Sequence, residues 1–442
     1  MPRTCLLLIA GLDASLLQRS PNLPTLSSLQ HQTTYKPVLP AVTSTMQATL
    51  TTGATAADHG IIANGLYTFR RPELHENLDL SNHADTRKQV SFWEQSNALL
   101  QRPRFWQGTS KKVAMLFWQN SINAADIVLT PKPTHTPDGK TLSACFSSPD
   151  SLYPILAEKL GPFPLHNYWS PMAGLPSSQW ILHAAQYVWD HHAPDLQLVY
   201  IPHLDYNLQR LGPSHPQIAK DLADIDALLA PLAANIRASG DTLIIAGDYG
   251  MFDVATPVLP NAALRDAGLL ATTPDPHGKL LVDYASSAAF AMVDHQLAHV
   301  YVQPGREADT LAALAKVTGI ARILATPDDL AAHGLNSLRS GEFVLLANPD
   351  AWFAHDWWIS DAEKPAWQFS VDIHHKPGYD PRELFFDPIH KTVAQNPRLI
   401  RGSHALTHDP SRWPLLLSDA PLPSPTPFSA TLLSPWLARL TS

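Results

Sequence analysis

The sequence predicts an α/β protein with a doubly wound, mostly parallel sheet flanked by helices. Short apolar runs bounded by turn residues recur along the chain, as is typical of strands buried on both faces of a parallel sheet. They lie at residues 5–10, 198–201, 243–246, 343–347 and 415–417. Between two of them, apolar residues recur in helical steps from Ile218 to Leu232, and Gly240 supplies a stop. We expect Pro231 to kink or shorten that helix. Strand, helix and strand in this order imply right-handed crossovers.

Composition narrows the class of protein. The chain has 442 residues, of which 45% are hydrophobic and 16% charged, so a largely disordered chain is excluded. The net charge is −8, which argues against a nucleic-acid-binding patch or a polybasic membrane surface. Two cysteines, Cys5 and Cys145, cannot form a disulfide framework. No stretch reaches the length of a membrane span, and the first apolar run is too short for a signal peptide. We therefore expect a cytoplasmic protein.

The periodic pattern is interrupted twice, which predicts two insertions in a catalytic α/β core. The core would comprise residues 1–74, 181–264 and 351–442. Residues 75–180 are rich in Trp, Pro, Asn and His and are expected to form an inserted cap. Residues 265–350 are expected to form a small second α/β unit.

Polar residues follow several of the predicted strands, where ligands bind in doubly wound sheets. They are Asp13, Thr43, Asp205, Asp248 and His404. Asp13 has a simpler interpretation as the cap of a short helix that follows it. Thr43 likewise begins a helical pattern, so a capping role is the simplest interpretation of that residue taken alone.

Four segments together resemble a known family. Residues 40–53 read Pro-Ala-Val-Thr-Ser-Thr-Met-Gln-Ala-Thr-Leu-Thr-Thr-Gly, and residues 58–65 read Asp-His-Gly-Ile-Ile-Ala-Asn-Gly. Asp205 to Pro213, Asp248-Tyr-Gly-Met and Gly402-Ser-His follow in order. This arrangement resembles the alkaline phosphatase superfamily, and most closely its nucleotide pyrophosphatase/phosphodiesterase branch. The resemblance implies the alkaline-phosphatase-like fold and hydrolysis of phosphate esters with divalent metal ions.

The resemblance also implies residue roles. Thr43 would be the nucleophile, and Asn64 would donate hydrogen bonds to a phosphoryl oxygen. Asp205 and His404 would bind a first metal ion, and Asp248 a second. The metals would activate the threonine hydroxyl by stabilising its alkoxide.

Three positions of the implied metal shell are altered. Ala10 stands where the family has the Asp of its first strand, Gln209 replaces a His, and Tyr249 replaces another. Gln209 is a poor zinc ligand but a tolerable oxygen ligand for Mg²⁺ or Mn²⁺. The sequence thus leaves zinc, magnesium and manganese open, with Asp13 as a possible substitute for the missing carboxylate.

Other residues are candidates for the metal shell or the substrate pocket. Residues 372–380 concentrate His374, His375 and Asp380 in a Pro/Gly loop, which predicts either metal ligands or a solvated, salt-bridged loop. His295 and His299 predict either a ligand pair or two satisfied structural histidines. The aromatic groups of the cap favour a satellite core, whereas Trp118 and Asn120 are candidates for substrate contact because polar amides follow the tryptophan directly.

The sequence supports two hypotheses of function. The first is a metal-dependent hydrolase of a small-molecule phosphate ester, preferably a diester or nucleotide-like compound, acting through a phosphothreonine intermediate. The second is a metal-poor relative that binds a phosphorylated or cyclitol-like ligand without turnover. The Thr43–Asn64 pair favours the enzyme, and the three altered positions favour the binder.

Overall fold

A computed structural model gives the architecture and describes residues 2–68, 89–132, 134–135, 141–374 and 376–441. The strands of this part of the chain, numbered in chain order, are β1 Thr4–Ile9, β2 His31–Lys36, β3 Gly65–Tyr67, β4 Val90–Phe92, β5 Val113–Leu116, β6 Ile127–Pro131, β7 Thr134–His135, β8 Thr141–Leu142, β9 Cys145–Ser148, β10 Leu196–Ile201, β11 Thr242–Gly247, β12 Phe252–Asp253, β13 Thr256–Val258, β14 Thr272–Pro274, β15 Leu280–Val282, β16 Ala289–Asp294, β17 Leu297–Val302, β18 Ile320–Leu324, β19 Phe343–Ala347, β20 Ala351–Phe353, β21 Phe386–Asp387, β22 Thr392–Val393, β23 Gly402–Ser403, β24 Leu415–Ser418 and β25 Phe428–Ser429.

The α-helices flank the sheets, and the first turns of two of them carry residues of the site. They are α1 Ala14–Arg19, α2 Pro24–Ser27, α3 Thr43–Thr52, α4 Ala56–His59, α5 Leu152–Leu160, α6 Leu165–Tyr168, α7 Leu175–His192, α8 His203–Leu211, α9 Gln217–Ala238, α10 Pro260–Asp266, α11 Glu307–Leu314, α12 Pro327–Ala332 and α13 Leu433–Leu440. The expectation that Pro231 shortens its helix is wrong, because Pro231 lies inside α9, which is 22 residues long and continues to Ala238. None of the described helices is long and apolar enough to cross a bilayer.

A central sheet of nine strands organises the molecule, in the order β25-β2-β24-β11-β1-β10-β5-β6-β9. Its middle strands, from β11 through β1, β10 and β5 to β6, run parallel. Strand β1 is buried along its whole length because both faces of the sheet are covered, which is why it reads as one apolar run. The mostly parallel, helix-flanked sheet confirms the predicted fold class.

A second sheet has four antiparallel strands in the order β16-β17-β19-β18. Residues 343–347, predicted as a strand of the parallel sheet, form β19 of this sheet instead. An apolar run signals burial on both faces but not the direction of the neighbouring strand, so the sequence pattern could not separate the two cases.

The expected cap at 75–180 needs correction in part. Strands β5, β6 and β9 lie in that range and belong to the central sheet, where β5 pairs with β10. Residues 69–88 lie outside the described part of the chain. The four-stranded sheet lies inside the range 265–350, and the division of the chain into domains stays a prediction.

Candidate active site

Helix α3 places Thr43 at the carboxyl edge of the central sheet. Thr43 is the first residue of the helix, after Val42 as N-cap, and it is nearly buried. The first N–H groups of a helix have no partner within it and carry partial positive charge, which suits an anion. Burial raises the pKa of Tyr200 and Tyr249, beside Thr43, well above the usual range, and the Thr43 hydroxyl partly opposes this rise.

Asn64 ties this helix terminus to the second sheet. Its side-chain oxygen accepts a hydrogen bond from the Ser44 backbone N–H at 2.9 Å. Its own backbone N–H donates to Asp294 Oδ2 at 2.7 Å, and its side-chain amide donates to Asp294 Oδ1 at 3.2 Å. Asn64 therefore fixes the start of α3, and its contact with a phosphoryl oxygen stays a prediction.

Asp205 is buried on α8, and protein donors occupy both of its carboxylate oxygens. The Tyr249 hydroxyl donates to Oδ1 at 3.1 Å, and the Gln209 side-chain amide donates to Oδ2. Gln209 is held in turn by the Tyr379 hydroxyl at 2.8 Å. Burial raises the pKa of Asp205. The altered positions Gln209 and Tyr249 thus direct hydrogen atoms, not lone pairs, at the carboxylate.

Asp248 follows β11 and is fully buried. Its Oδ1 accepts the backbone N–H groups of Gly11 and Tyr249, both at 3.0 Å, while its Oδ2 has no hydrogen-bond partner among the described residues. Burial raises the pKa of Asp248 well above its usual range, and the neighbouring Asp205 adds to the shift.

A stack of four rings fills the space beside these carboxyl groups. Tyr249 lies on His404 with ring centres 3.6 Å apart and an interplanar angle of 4°. His404 contacts His295 at 3.7 Å, and His295 stacks on Tyr379 at 3.8 Å. His404 donates from Nδ1 to the Ala41 carbonyl at 2.8 Å, and burial together with His295 holds its pKa well below the usual range.

His295 is the residue of this site whose role the sequence did not reveal. It forms, with Gln296, the two-residue turn between β16 and β17, and its φ of 60° lies in the left-handed region. Two-residue hairpin turns require positive φ at their first position, and histidine tolerates it better than most residues. The Gln296 backbone N–H donates to the His404 carbonyl at 2.9 Å, which holds the turn against His404.

The predicted His295–His299 ligand pair does not form. His299 lies within β17, where its Nε2 is 3.1 Å from the Ile62 carbonyl and its Nδ1 accepts the Gly341 N–H at 3.4 Å. His299 is thus a satisfied structural histidine, whereas His295 faces the site. The two differ because the turn breaks the strand geometry on which the shared face depended.

A cavity of about 180 Å³ opens above Thr43. Asp205, Tyr249, His295 and His404 line it together with Thr43. Aromatic and amide side chains form a large part of the wall, namely Trp93, Gln95, Gln119, Tyr168, Trp169, Tyr200, Tyr206 and Tyr379. None of the described residues that line it is a lysine or arginine.

The residues at this site do not fit the two-metal centre that the resemblance implied. No group of three or more His, Cys, Asp or Glu that could hold an ion occurs among the described residues. Each Asp205 oxygen already accepts a hydrogen bond, Gln209 donates an amide N–H to that carboxylate, and Asp248 offers one oxygen without a partner among the described residues. A zinc site needs about three or four ligands at ~2.0–2.3 Å, and these side chains do not supply them.

Asp13 does not supply the missing metal ligand. Its Oδ1 accepts the Leu16 N–H at 3.0 Å as the N-cap of α1, which supports the capping interpretation, and its Oδ2 lies 3.7 Å from Arg412. It does not line the cavity.

The loop at 372–380 contributes to the cavity wall, and its described residues form no metal site. His374 lines the cavity, with Nδ1 3.2 Å from the Phe92 carbonyl, and His375 lies outside the described residues. Asp380 is buried and paired with Lys376 at 3.0 Å and with Arg382 at 2.6 Å. The salt-bridged alternative was therefore right about the pairing and wrong about solvation.

Trp118 and Asn120 lie behind the cavity wall. Trp118 is fully buried in the main core, and the side chain of Asn120 donates to the Glu94 carbonyl at 2.7 Å. Gln119, between them, is the residue that reaches the cavity. The segment is a turn with positive φ at Phe117 and Asn120, and of these residues only Gln119 lines the cavity. The cavity wall therefore does not support the expected substrate contacts of Trp118 and Asn120.

The comparison with known families decides the assignment. Residues 4–380 match the model of the type I phosphodiesterase/nucleotide pyrophosphatase family. The chain belongs to this family. The predicted resemblance is thus confirmed, and with it membership of the alkaline phosphatase superfamily. No curated protein matches the chain in sequence.

Solved structures share the fold over nearly the whole chain. Phosphonoacetate hydrolase from Sinorhizobium meliloti 1021, in complex with phosphonoformate, is 15% identical with a TM-score of 0.63, covering 100% of this chain and 96% of its own. Murine ectonucleotide pyrophosphatase/phosphodiesterase 5 is 14% identical with a TM-score of 0.59, covering 99% and 95%. The human protein of the same name is 15% identical with a TM-score of 0.58, covering 99% and 94%.

Family and fold together support an enzyme, a hydrolase of phosphate esters. Family membership also supports divalent metal ions in general terms. In this chain, however, Ala10, Gln209 and Tyr249 replace side chains that the family resemblance implied as metal ligands.

Proposed function

We propose that the protein hydrolyses phosphate esters in the cavity above Thr43, through a phosphothreonine intermediate. The observation that carries the proposal is the position of Thr43, at the first turn of α3 and in the wall of the cavity. N–H groups of that turn other than that of Ser44, which donates to Asn64, can stabilise negative charge that develops on phosphoryl oxygens.

The charge of the cavity favours a diester over a monoester. A phosphate monoester carries about two negative charges near neutral pH, whereas a diester carries one. The cavity wall contains Asp205 and Asp372 and no described lysine or arginine. A dianion would therefore meet little compensation, and a singly charged phosphodiester with an aromatic or nucleoside group suits the aromatic wall.

The test compares nitrophenyl phosphate monoesters, diesters and a sulfate ester with wild-type protein and Thr43→Ala. We expect diester turnover in the wild type and its loss in Thr43→Ala. Attack on the diester expels one nitrophenol, so mass spectrometry of the quenched reaction should show a phosphoryl group that still carries the second ester group on Thr43. Thr33→Ala, the same chemical change on β2, is the matched control and should retain turnover. Unchanged turnover in Thr43→Ala would refute the proposal.

A second candidate function is binding without turnover, favoured by the hydrogen bonds that Gln209 and Tyr249 donate to Asp205 in place of metal ligands. Calorimetric titration with a non-hydrolysable phosphonate, beside the turnover assay, separates the two functions. Binding by wild-type protein that turns over no ester would establish the second.

A further inference from the structure

Three aromatic side chains of the cavity wall, Trp93, Trp169 and Tyr379, form what we call the aromatic corner. The Tyr379 ring lies 6.2 Å from that of Trp93 at an interplanar angle of 68°, and 5.8 Å from that of Trp169 at 52°. Both tryptophans are half-buried, so part of each indole is open to a ligand in the cavity. The steep angles show that the rings meet as inclined walls and not as one flat surface.

The aromatic corner is tied to the segment that carries Thr43. The Trp93 backbone N–H donates to the Asn64 carbonyl at 3.0 Å, and the Asn64 side chain accepts the Ser44 N–H at 2.9 Å. Trp93 has a φ of 64°, a conformation that is rare for a bulky residue and typical of functional sites. The corner and the nucleophile therefore hold fixed positions in the same cavity.

One buried carboxyl group brings Asp372 next to the corner. Glu383 accepts the Trp169 indole N–H at Oε2, over 2.6 Å, and the Asp372 backbone N–H at Oε1, over 2.8 Å. Asp372 and Trp169 both line the cavity. Because their nitrogens contact the same carboxyl group, the two residues are neighbours in the cavity wall.

The cavity is rich in acidic groups and poor in positive charge. Asp205 and Asp372 line it, none of its described lining residues is a lysine or arginine, and the low pKa of His404 keeps that ring neutral. The buried ion cluster behind the wall has three carboxyl groups and two cations, so it adds no net positive charge. Its members are Asp356, Asp380, Glu383, Lys376 and Arg382. Even a singly charged phosphodiester would therefore meet little positive charge from these side chains.

A substrate can bring the balancing charge itself. An ammonium group is attracted to the faces of aromatic rings within about 6 Å of their centres, and proteins recognise quaternary ammonium groups with aromatic cages. The Asp372 carboxyl group adds an opposite charge, which would not favour an uncharged base. We propose that the aromatic corner and Asp372 bind the quaternary ammonium group of an amino-alcohol phosphodiester whose phosphate lies at Thr43. This inference rests on the proposed hydrolysis at Thr43 and names its substrate class.

The experiment compares two esters that differ in one charge. Nitrophenyl phosphocholine carries the ammonium group, and nitrophenyl dimethylbutyl phosphate has carbon in place of the charged nitrogen. We expect kcat/KM of the wild type to be at least ~10-fold higher for the choline ester. Calorimetric titration of Thr43→Ala, which should bind the esters without cleaving them, should show Kd lower by at least ~10-fold for the choline ester.

Variants of the corner should change the ratio of the two kcat/KM values, whereas misfolding would lower both values together. Asp372→Asn and Trp169→Leu should each reduce the ratio at least ~3-fold. Trp169→Phe keeps a ring but loses the hydrogen bond to Glu383, so it should retain most of the ratio. Asp328→Asn, the same chemical change at an exposed position outside the cavity, should leave the ratio as in the wild type.

The inference and the proposed function can fail separately. Turnover and binding that differ less than ~2-fold between the two esters, with Thr43→Ala inactive, would overturn the inference and leave hydrolysis at Thr43 standing. So would a preference for the nitrophenyl ester of thymidine monophosphate over both, which would assign the corner to a base. Selective binding of the choline ester by wild-type protein that cleaves no ester would support the ammonium site and overturn the hydrolysis.

Discussion

Arg382→Met tests the buried ion cluster that supports the cavity wall. The Arg382 guanidinium donates to both Asp356 oxygens, at 2.8 and 2.6 Å, and to Asp380 at 2.6 Å, and it is fully buried. Lys376 pairs with Asp380 at 3.0 Å and with Glu383 at 2.8 Å. Burial alone would raise the pKa of Asp380, but Arg382 and Lys376 hold it well below the usual range.

The magnitude follows from the loss of one partner in a buried ion network. Methionine fills similar volume but leaves Asp356 without its cation, which costs about 3–5 kcal/mol of unfolding free energy. With an unfolding entropy of about 2.1 cal/mol/K per residue, a chain of 442 residues has about 0.9 kcal/mol/K in total. We therefore expect the melting temperature at pH 7 to fall by about 3–5 °C.

The pH dependence gives the sign of the effect. Because the pKa of Asp380 is depressed in the folded protein, its contribution to stability is present above the ordinary carboxyl pKa and is lost as pH falls toward its folded pKa. In Arg382→Met the stranded carboxyl groups take up protons more readily. The difference in melting temperature should therefore shrink between pH 7 and pH 4.

Scanning calorimetry at a fixed scan rate is the assay, with exposed Arg398→Met as control. Adding Asp356→Leu to Arg382→Met should recover at least ~1 kcal/mol of the lost unfolding free energy, since it removes the carboxylate that has lost its cation. A melting temperature within 1 °C of wild type at pH 7 would refute the reasoning, as would a difference that grows on acidification.

Two further predictions concern the sheet edge. Asp248→Asn should raise the melting temperature at pH 8 by about 1–3 °C. It removes a buried carboxyl whose raised pKa makes the folded protein lose stability as pH rises, so the gain should shrink toward pH 5. A lower melting temperature at pH 8 would point to a bound cation instead. Gly402→Ala should lower the free energy of unfolding, measured in urea, by about 3 kcal/mol, because a Cβ there would lie 2.0 Å from the Leu208 carbonyl oxygen. Gly278→Ala is the control for replacing a glycine, since a Cβ there meets no atom within 4 Å. Its positive φ adds a small strain of its own.

The sequence predicted the middle of the central sheet well and its outer part poorly. Strands β1, β10 and β11 are buried on both faces, so their residues form unbroken apolar runs. Strands β5 and β6 are as buried, but they lie among Trp, Pro and Asn residues that suggest an irregular cap. The composition around β5 and β6 predicted a cap although the strands themselves are short apolar runs. Their place in the central sheet is shown by the pairing of β5 with β10.

The site was predictable where it depends on positions after strands. Thr43 and Asp248 lie at the sheet edge because doubly wound sheets collect such residues there. The altered positions were also visible in the sequence. That Tyr249 and Gln209 would both turn to Asp205 was not, because it depends on side-chain directions across separate segments.

The role of His295 was hidden for a different reason. Its spacing from His299 suggested a pair on one face, whereas the two-residue turn rotates His295 out of the strand. A His-Gln dipeptide between two apolar runs is a detectable hairpin signal. Nothing in the sequence indicates that this hairpin packs against His404, more than 100 residues later.

Tyr249 makes two contacts in the site, and both depend on its being a tyrosine. Its hydroxyl satisfies Asp205 and its ring covers His404. A single change to histidine would remove both contacts while Ala10 and Gln209 still denied an ion its remaining ligands. Each single step toward a metal centre therefore weakens the present site before any ion can compensate. Variants with one of the three positions changed are expected to be less stable than the present protein. A protein engineer who wants a metal centre here would therefore have to change all three positions together.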